Sequence, residues 1–213
     1  MDADKGKGLP PNLSLCSAVE GRVQTRIETK RLILRRATEA DLEAYCQRIY
    51  CDPEVMRTLP GGKALAMVEA CPRASTNLID YWEQHGFGPW LLVAKQNERL
   101  LGHCGLRYWP ETQDVEVLYA LERPAWGQGY ATEAAEASLA TGFGQLELER
   151  IIAGVLPTNR ASIHVLQKLG MQKWDEREFA GLQVVMYEIG RTHFVVRSPN
   201  GLQRPSPYRT DSS

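Results

Sequence analysis

The stretch RPAWGQGYATEA (residues 123–134) decides how this chain is interpreted, because two glycines one residue apart stand directly before an alanine-rich run. The preceding VEVLYAL (115–121) has the composition of a strand, and the run that follows (132–143) predicts a helix. A strand, a glycine loop and a helix in this order point several backbone N–H groups outward at a helix N-terminus, which favours anion binding. Glycine matters there, because a β-carbon would hold the oxygens of the anion away from the backbone.

The loop by itself leaves two interpretations open. Its glycines either relieve crowding at a strand-to-helix turn or form a cradle for a phosphate. A dinucleotide-binding fingerprint fits less well, because G-x-G-x-x-G would need a third glycine where Thr132 stands. That fingerprint would also open the fold, whereas several predicted strands precede this loop.

Composition excludes several classes of protein. The 213 residues carry a formal net charge of −1, which argues against nucleic-acid binding through a broad basic face. No apolar run approaches the roughly 18 residues that a membrane span needs. The five cysteines are odd in number and form no C-x-x-C pair, so neither a disulfide framework nor a metal site is expected. With no hydrophobic leader, the chain is predicted to be cytoplasmic and to bind neither nucleic acid nor membrane.

Periodicity predicts one α+β (mixed α/β) domain at 27–191 between an N-terminal tail or arm (1–26) and a C-terminal tail (192–213). The six or seven predicted strands, mostly antiparallel, lie at 31–37, 90–95, 99–109, 114–121, 150–156, 171–179 and 182–189. Helices are predicted at 38–50, 75–85, 132–143 and from Asn159 to Gly170. Thr38 and Asn159 are predicted N-caps, and residues 58–76 are interpreted as a loop.

Four motifs in this order resemble the GNAT acetyltransferase superfamily, in particular its RimJ/RimL-like branch: ETKRLILRRATEADLEAY, VEVLYAL, WGQGYATEA and NRASIHVLQKLGM. The resemblance covers residues 27–189. It implies the GNAT fold, with the sheet splayed between its fourth and fifth strands and helices on both faces, and acetyl-CoA as cosubstrate. The superfamily loop Q/R-x-x-G-x-G/A corresponds to Trp126, Gly129 and Ala131; the tryptophan departs from the general pattern but resembles this branch.

The resemblance also implies a set of donor-binding positions. Backbone amides of the loop would bind the pyrophosphate, and the strand before the loop would pair with the pantetheine arm. Asn159, with Ser162 nearby, would contact the arm, and the Leu121 N–H would stabilise the oxyanion. The implied cofactor-binding residues are Leu118, Tyr119, Ala120, Leu121, Trp126, Gly127, Gln128, Gly129, Tyr130, Ala131, Thr132, Asn159 and Ser162.

Glu116 is the carboxylate best placed to act as the base. A glutamate at this place is a frequent base candidate in the branch; the alternative is a solvated or ion-paired strand carboxylate. Strand alternation puts its side chain on the face opposite Val115 and Val117. Many GNAT enzymes carry a tyrosine acid where this chain has Leu166, but a thiol with a pKa of about 8.5 is a tolerable leaving group without one.

The predicted function is an N-acetyltransferase that moves an acetyl group to a primary amine by direct attack on the thioester. The acceptor is a protein N-terminus or a small molecule, and the enzyme is expected to be a monomer or homodimer. An α-amine suits a weak base better than lysine, because its pKa is about 2.5 units lower. Cys104, His103 and His164 are interpreted as core residues. The alternatives are a non-enzymatic acyl-CoA sensor and a nucleotide-dependent oxidoreductase.

Overall fold

A computed structural model describes residues 23–59, 61–110, 112, 114–197 and 203–205. Its main sheet contains eight strands in the order β1-β2-β3-β4-β5-β6-β8-β7. These strands are β1 (Arg26–Glu28), β2 (Leu32–Arg35), β3 (Pro89–Ala94), β4 (Leu100–Tyr108), β5 (Val115–Leu121), β6 (Arg150–Val155), β7 (Gln172–Phe179) and β8 (Leu182–Gly190). A separate two-stranded sheet pairs β9 (Val195–Arg197) with β10 (Gln203–Pro205) antiparallel.

The described helices cover both faces of this sheet. They are α1 (Leu42–Arg48), α2 (Pro53–Met56), α3 (Met67–Ser75), α4 (Tyr81–His85), α5 (Tyr130–Gly144) and α6 (Arg160–Lys168), and a π-helical turn (Thr76–Asp80) joins α3 to α4. Two predicted caps are confirmed: the Thr38 N–H donates to the Asp41 carboxylate (2.8 Å), and the Asn159 side chain accepts from the Ser162 N–H (3.1 Å).

The sheet confirms the predicted mixed, mostly antiparallel fold, with one strand more than the sequence predicts. All neighbouring strands are antiparallel except β5 and β6, which run parallel and pair at a single position, Glu116 with Ile152. The extra strand is β1, three residues whose mostly exposed side chains give no alternating apolar pattern. It begins at Arg26, and Val23 is already buried in the core.

The two faces of the sheet carry different apolar clusters. On one face α5 and α6 bury the main core, which includes Val115, Val117 and Leu139. On the other face α1, α2 and α3 pack on the sheet in a first-helix cluster that includes Tyr45 and Ala120. Val115 and Val117 alternate with Ala120 along β5, so the strand contributes to both faces.

The interpretation of residues 58–76 as a loop is wrong for its second half, because α3 occupies Met67–Ser75. Pro72, an expected helix breaker, lies inside this helix. The helix holds because Ala70 and Ala74 are fully buried against α1, so tertiary packing outweighs the local cost. The predicted helix at 75–85 is the continuation of α3 through the π-helical turn into α4.

Candidate functional site

The glycine loop between β5 and α5 has the backbone geometry that an anion cradle requires. Gly127 and Gly129 have φ of 73° and 79°, in the left-handed region that other residues rarely adopt. No atom of the described residues lies within 4 Å of the place where a β-carbon on Gly127 would stand. The first helical hydrogen bond of α5 runs from the Glu133 N–H to the Gly129 carbonyl, 3.1 Å. The preceding N–H groups of the helix therefore have no intrahelical acceptor.

The loop is fastened to the start of β2 by one half-buried carboxylate. Glu133 accepts from the Thr29 hydroxyl (2.6 Å) and from the Arg31 side chain (2.7 Å). Arg31 also donates to the Gln128 carbonyl (2.8 Å), and its guanidinium lies 4.4 Å from the centre of the Tyr130 ring. These contacts join positions about a hundred residues apart, so no local pattern in the sequence could indicate them.

A second set of contacts fixes the end of β5. The Trp126 indole Nε1–H donates to the Leu121 carbonyl (2.7 Å), which gives the tryptophan of this loop a structural role although 41% of its surface is exposed. The next residue, Glu122, is buried between Arg48 (2.9 Å) and Arg99 (2.5 Å). The entry to the loop is therefore held from both sides.

Two grooves flank the loop, and both are lined by cationic side chains. One, of about 560 Å³, is lined by Gln47, Arg48, Asp52, Arg99, Glu122, Arg123 and Pro124. The other, of about 310 Å³, is lined by Lys30, Arg31, Ala94, Lys95, Gln96 and Tyr130. In the first groove Glu122 and Asp52 pair with the three arginines, so basic groups exceed acidic ones there by one. An excess of basic groups beside open backbone amides favours a ligand that carries phosphate.

Beside the loop, β5 and β6 separate into a slot. Beyond the pair of Glu116 with Ile152, no further β5–β6 pairing exists among the described residues. Both strands end at the same edge of the sheet, since they are parallel. The loop that begins α5 and the cap that begins α6 therefore stand on the two sides of the mouth of the slot.

The register of β4 and β5 decides which backbone groups of β5 line the slot. Glu122 N–H donates to the Leu101 carbonyl and Trp109 N–H to the Asp114 carbonyl, which sets the alternation along the whole pair. Even-numbered residues of β5 therefore bond to β4. Val117, Tyr119 and Leu121 direct their N–H groups towards β6, and Tyr119 and Leu121 lie beyond the pairing of Glu116 with Ile152, so their N–H groups face the slot. The backbones of Leu118 and Ala120 are used within the sheet.

Tyr119 connects the two sides of the slot. Its hydroxyl lies 2.8 Å from the Ser162 Oγ in the first turn of α6, where Asn159 forms the cap. The Asn159 side-chain oxygen is occupied by the Ser162 N–H, and its NH2 group has no recorded acceptor among the described residues. Three predicted positions thus come together at this mouth.

Glu116 is an ion-paired carboxylate with little exposure, as one of its two interpretations expected. The Arg107 Nε–H donates to Glu116 Oε1 at 2.7 Å, across the directly paired positions of β4 and β5. Glu116 is 4% exposed. Burial raises the pKa of its carboxyl above the usual range, although the Arg107 guanidinium lowers it.

This ion pair lies between two apolar clusters of the same sheet face. We call Arg107, Glu116 and the neighbouring Tyr81 the polar gap. On one side is the first-helix cluster. On the other is a tryptophan cluster, formed by Trp109, Ile152, Val184 and Met186 with Leu156, Trp174 and Phe179 packed against it. The Tyr81 hydroxyl accepts from the Tyr108 N–H (2.7 Å) at the edge of the pair. The sequence pointed to Glu116 but to neither Arg107 nor Tyr81.

The remaining candidate groups separate into core and surface. His103 is buried on Tyr45 (2.8 Å), and burial lowers its pKa to about 3, which confirms the core interpretation. Cys104 is buried beside Ser138, and burial raises its pKa to about 12. Leu166 is buried in the main core. His164 is exposed on α6, so the expectation that it lies in the core is wrong.

None of the helices in the described residues combines the length and the apolar character that a membrane crossing requires.

Comparisons with known proteins identify the family. The model of the acetyltransferase (GNAT) domain family matches residues 31–172. The N-acetyltransferase p20 of Bacillus licheniformis is 32% identical over 147 residues, which are 68% of this chain and 81% of that protein.

Solved structures share the fold. A GNAT-family acetyltransferase from Bacillus anthracis superposes with a TM-score of 0.67 at 24% identity, covering 78% of this chain and 98% of that one. The RimL ribosomal L7/L12 alpha-N-protein acetyltransferase, in complex with coenzyme A, superposes with a TM-score of 0.65 at 18% identity, covering 78% and 97%.

Proposed function

The chain belongs to the GNAT acetyltransferase family and is an N-acetyltransferase, and on this premise we propose that it transfers the acetyl group of acetyl-CoA to an α-amine of a protein N-terminus or of a small molecule. The observation that carries the proposal is the single pairing of Glu116 with Ile152. Because the strands separate there, the slot runs from the glycine loop to the buried carboxylate, and a donor bound at the loop reaches the carboxylate through the slot.

The donor is bound mainly by backbone groups. The amides from Gly127 to Thr132 bind the pyrophosphate oxygens, supported by their open approach and by the dipole of α5. The N–H group of Leu121 and the Asn159 NH2 group bind the amide groups of the pantetheine arm. Acetyl-CoA supplies the thioester carbon and a thiolate leaving group.

Glu116 acts as the base when the amine attacks. The amine nitrogen forms a bond to the thioester carbonyl carbon, the carbon–sulfur bond breaks, and the sulfur leaves as thiolate. Glu116 takes the proton that the nitrogen loses, directly or through water. The raised pKa of its carboxyl favours this role, because a buried carboxylate is a stronger base than an exposed one.

We assign the oxyanion donor to the Tyr119 N–H in preference to Leu121, the position that the sequence suggested. Five residues separate Glu116 from Leu121, about 16 Å along a strand, which is too far for one reacting carbon to contact both. Tyr119 is about 10 Å along the strand, within reach of a base that acts through water. Leu121 remains a candidate for binding the arm.

No tyrosine on α6 can donate a proton to the leaving thiolate, because the position is occupied by Leu166, which is buried in the core. A thiol has a pKa of about 8.5, so its departure as an anion near neutrality costs little. The missing phenol is therefore compatible with turnover.

Two measurements test the proposal. Acetyl-CoA at 100 times its Kd should stabilise the protein by about 2.7 kcal/mol in thermal unfolding, and NAD(P) should not. Release of CoA is then followed with α-amino peptides, amino acids, lysine peptides, polyamines and aminoglycosides. Absence of the thermal shift contradicts donor binding. Binding without CoA release across the panel supports the acyl-CoA sensor instead.

A further inference from the structure

Arg107 has hydrogen-bonding capacity that the fold does not use. Its Nε–H serves Glu116, but its two terminal nitrogens have no acceptor among the described residues. The side chain is 29% exposed, so these donors are open to a ligand. An arginine with terminal donors at the edge of a cleft is suited to two-point binding of a carboxylate.

Glu116 also has unused hydrogen-bonding capacity, because only one of its carboxylate oxygens accepts a hydrogen bond. Its Oε1 accepts from Arg107, and its Oε2 has no recorded donor in the described part of the chain. The polar gap thus presents one free carboxylate oxygen next to free guanidinium donors. An α-amino acid carries the complementary pair, an amine and a carboxylate on one carbon.

Charge balance favours an anion over a neutral carbonyl at Arg107. When Glu116 takes the proton of the amine, the ion pair loses its negative charge, and a partly buried guanidinium is left uncompensated. A carboxylate on the acceptor restores the balance at this step. A peptide carbonyl would accept hydrogen bonds there but would not compensate the charge.

We propose that the acceptor is a small α-amino acid, whose carboxylate binds the terminal nitrogens of Arg107 while its amine lies at Glu116. This inference rests on the proposed function and names its substrate class. The Tyr81 hydroxyl, at the edge of the ion pair, adds a donor: it accepts from the Tyr108 N–H, and burial raises its pKa to about 12, so it keeps its own proton to give. The apolar clusters on both sides of the polar gap suit an amino acid with an apolar side chain.

The test uses three acceptors that differ only in the carboxylate: L-leucine, L-leucinamide and 3-methylbutylamine. kcat/KM is measured by CoA release and expressed per neutral amine, which removes the difference between the pKa values of the amines. Wild-type enzyme should prefer L-leucine to L-leucinamide by about 10-fold or more, the size expected of a charge-assisted contact.

Variants of Arg107 then identify the group responsible. Arg107→Gln should bring the ratio of L-leucine to L-leucinamide close to one, and Arg107→Lys should keep part of it. The ratio is informative even though Arg107→Gln also disturbs Glu116, because that effect lowers the rate with both acceptors. Arg26→Gln, which removes an ion pair at the far edge of the sheet, is the matched control and should leave the ratio unchanged.

The outcomes separate the two proposals. A ratio that Arg107→Gln does not change, or a wild-type preference for L-leucinamide or for a peptide N-terminus, overturns the amino acid assignment and leaves the acetyltransferase proposal in place. Absence of CoA release with every amine tested removes the proposed function, and this inference with it.

Discussion

The glycine loop and the polar gap lie at the two ends of the same slot, and they are built in opposite ways. The loop is one continuous stretch, Trp126 to Tyr130, and its shape is set by its backbone conformation. The polar gap collects side chains from β4, β5 and α4, at Arg107, Glu116 and Tyr81. If the two sites have the roles we propose, donor binding uses backbone groups that every residue has, whereas acceptor choice depends on which side chains the fold brings together.

The largest expected effect is the loss of kcat when the polar gap is changed. Glu116→Gln should lower kcat by about 100-fold or more, since a general base contributes roughly that much. The KM for acetyl-CoA should stay unchanged, because the loop is untouched. Steady-state kinetics with both substrates varied measure this. The control is Glu28→Gln, an exposed ion-paired strand carboxylate on β1; an equal loss of kcat in this control would contradict the assignment.

A change in the glycine loop should instead weaken the binding of acetyl-CoA. Gly129→Val forces a β-branched residue into a left-handed conformation, so the free loop should relax away from its binding geometry. The Kd for acetyl-CoA, measured by calorimetry, should rise about 10- to 100-fold.

A matched variant separates strain from binding in this prediction. Gly181, in the β7–β8 turn, has nearly the same φ (75°), and a β-carbon there would meet no clash; at Gly129 it would lie in ordinary contact with the Arg31 side chain, 3.5 Å away. Gly181→Val should cost similar stability while leaving the Kd for acetyl-CoA unchanged. An equal loss of affinity in both variants would show that the loop amides are not the binding groups.

The pH dependence tests the coupling within the polar gap. Protonated Glu116 cannot accept a proton, so kcat at saturating substrates should fall as the pH drops through its raised pKa. Because the Arg107 guanidinium lowers that pKa, Arg107→Gln should move this acid limb to higher pH, and Arg107→Lys should move it less. If the acid limb stays in place or moves to lower pH in Arg107→Gln, Glu116 is not the base that the profile reports.

The smallest expected effect concerns the side chain that supports the loop. Trp126→Phe removes the indole hydrogen bond to Leu121 and should raise the Kd for acetyl-CoA only about 2- to 10-fold. Trp174→Phe is the matched control, since its buried Nε1 has no partner among the described residues. An effect of Trp126→Phe as large as that of Gly129→Val would mean that the side chain, and not the backbone, carries donor binding.

Much of the fold follows from patterns that are local in the chain. Apolar, strand-like runs between turn residues predicted the seven longest strands, and the caps at Thr38 and Asn159 lie where the sequence placed them. The failures are also physical. β1 is too short and too exposed to show a period, and α3 contains Pro72, whose local cost only burial against α1 offsets.

By itself, the sequence determined the backbone conformation of the glycine loop, which we propose as the donor half of the site. Gly127 and Gly129 permit the left-handed φ values of the loop, which is a local property of these residues. The strand before the loop and the helix after it are also indicated by the residues that form them. The sequence also pointed to Glu116, but only the tertiary structure brought Arg107 and Tyr81 to it in the proposed acceptor half. Arg107 meets Glu116 only through the register of β4 and β5. In the glycine loop, the contact of Glu133 with Arg31 at the start of β2 likewise joins distant segments. Such contacts depend on strand pairing and packing between distant segments, which no short stretch of sequence encodes.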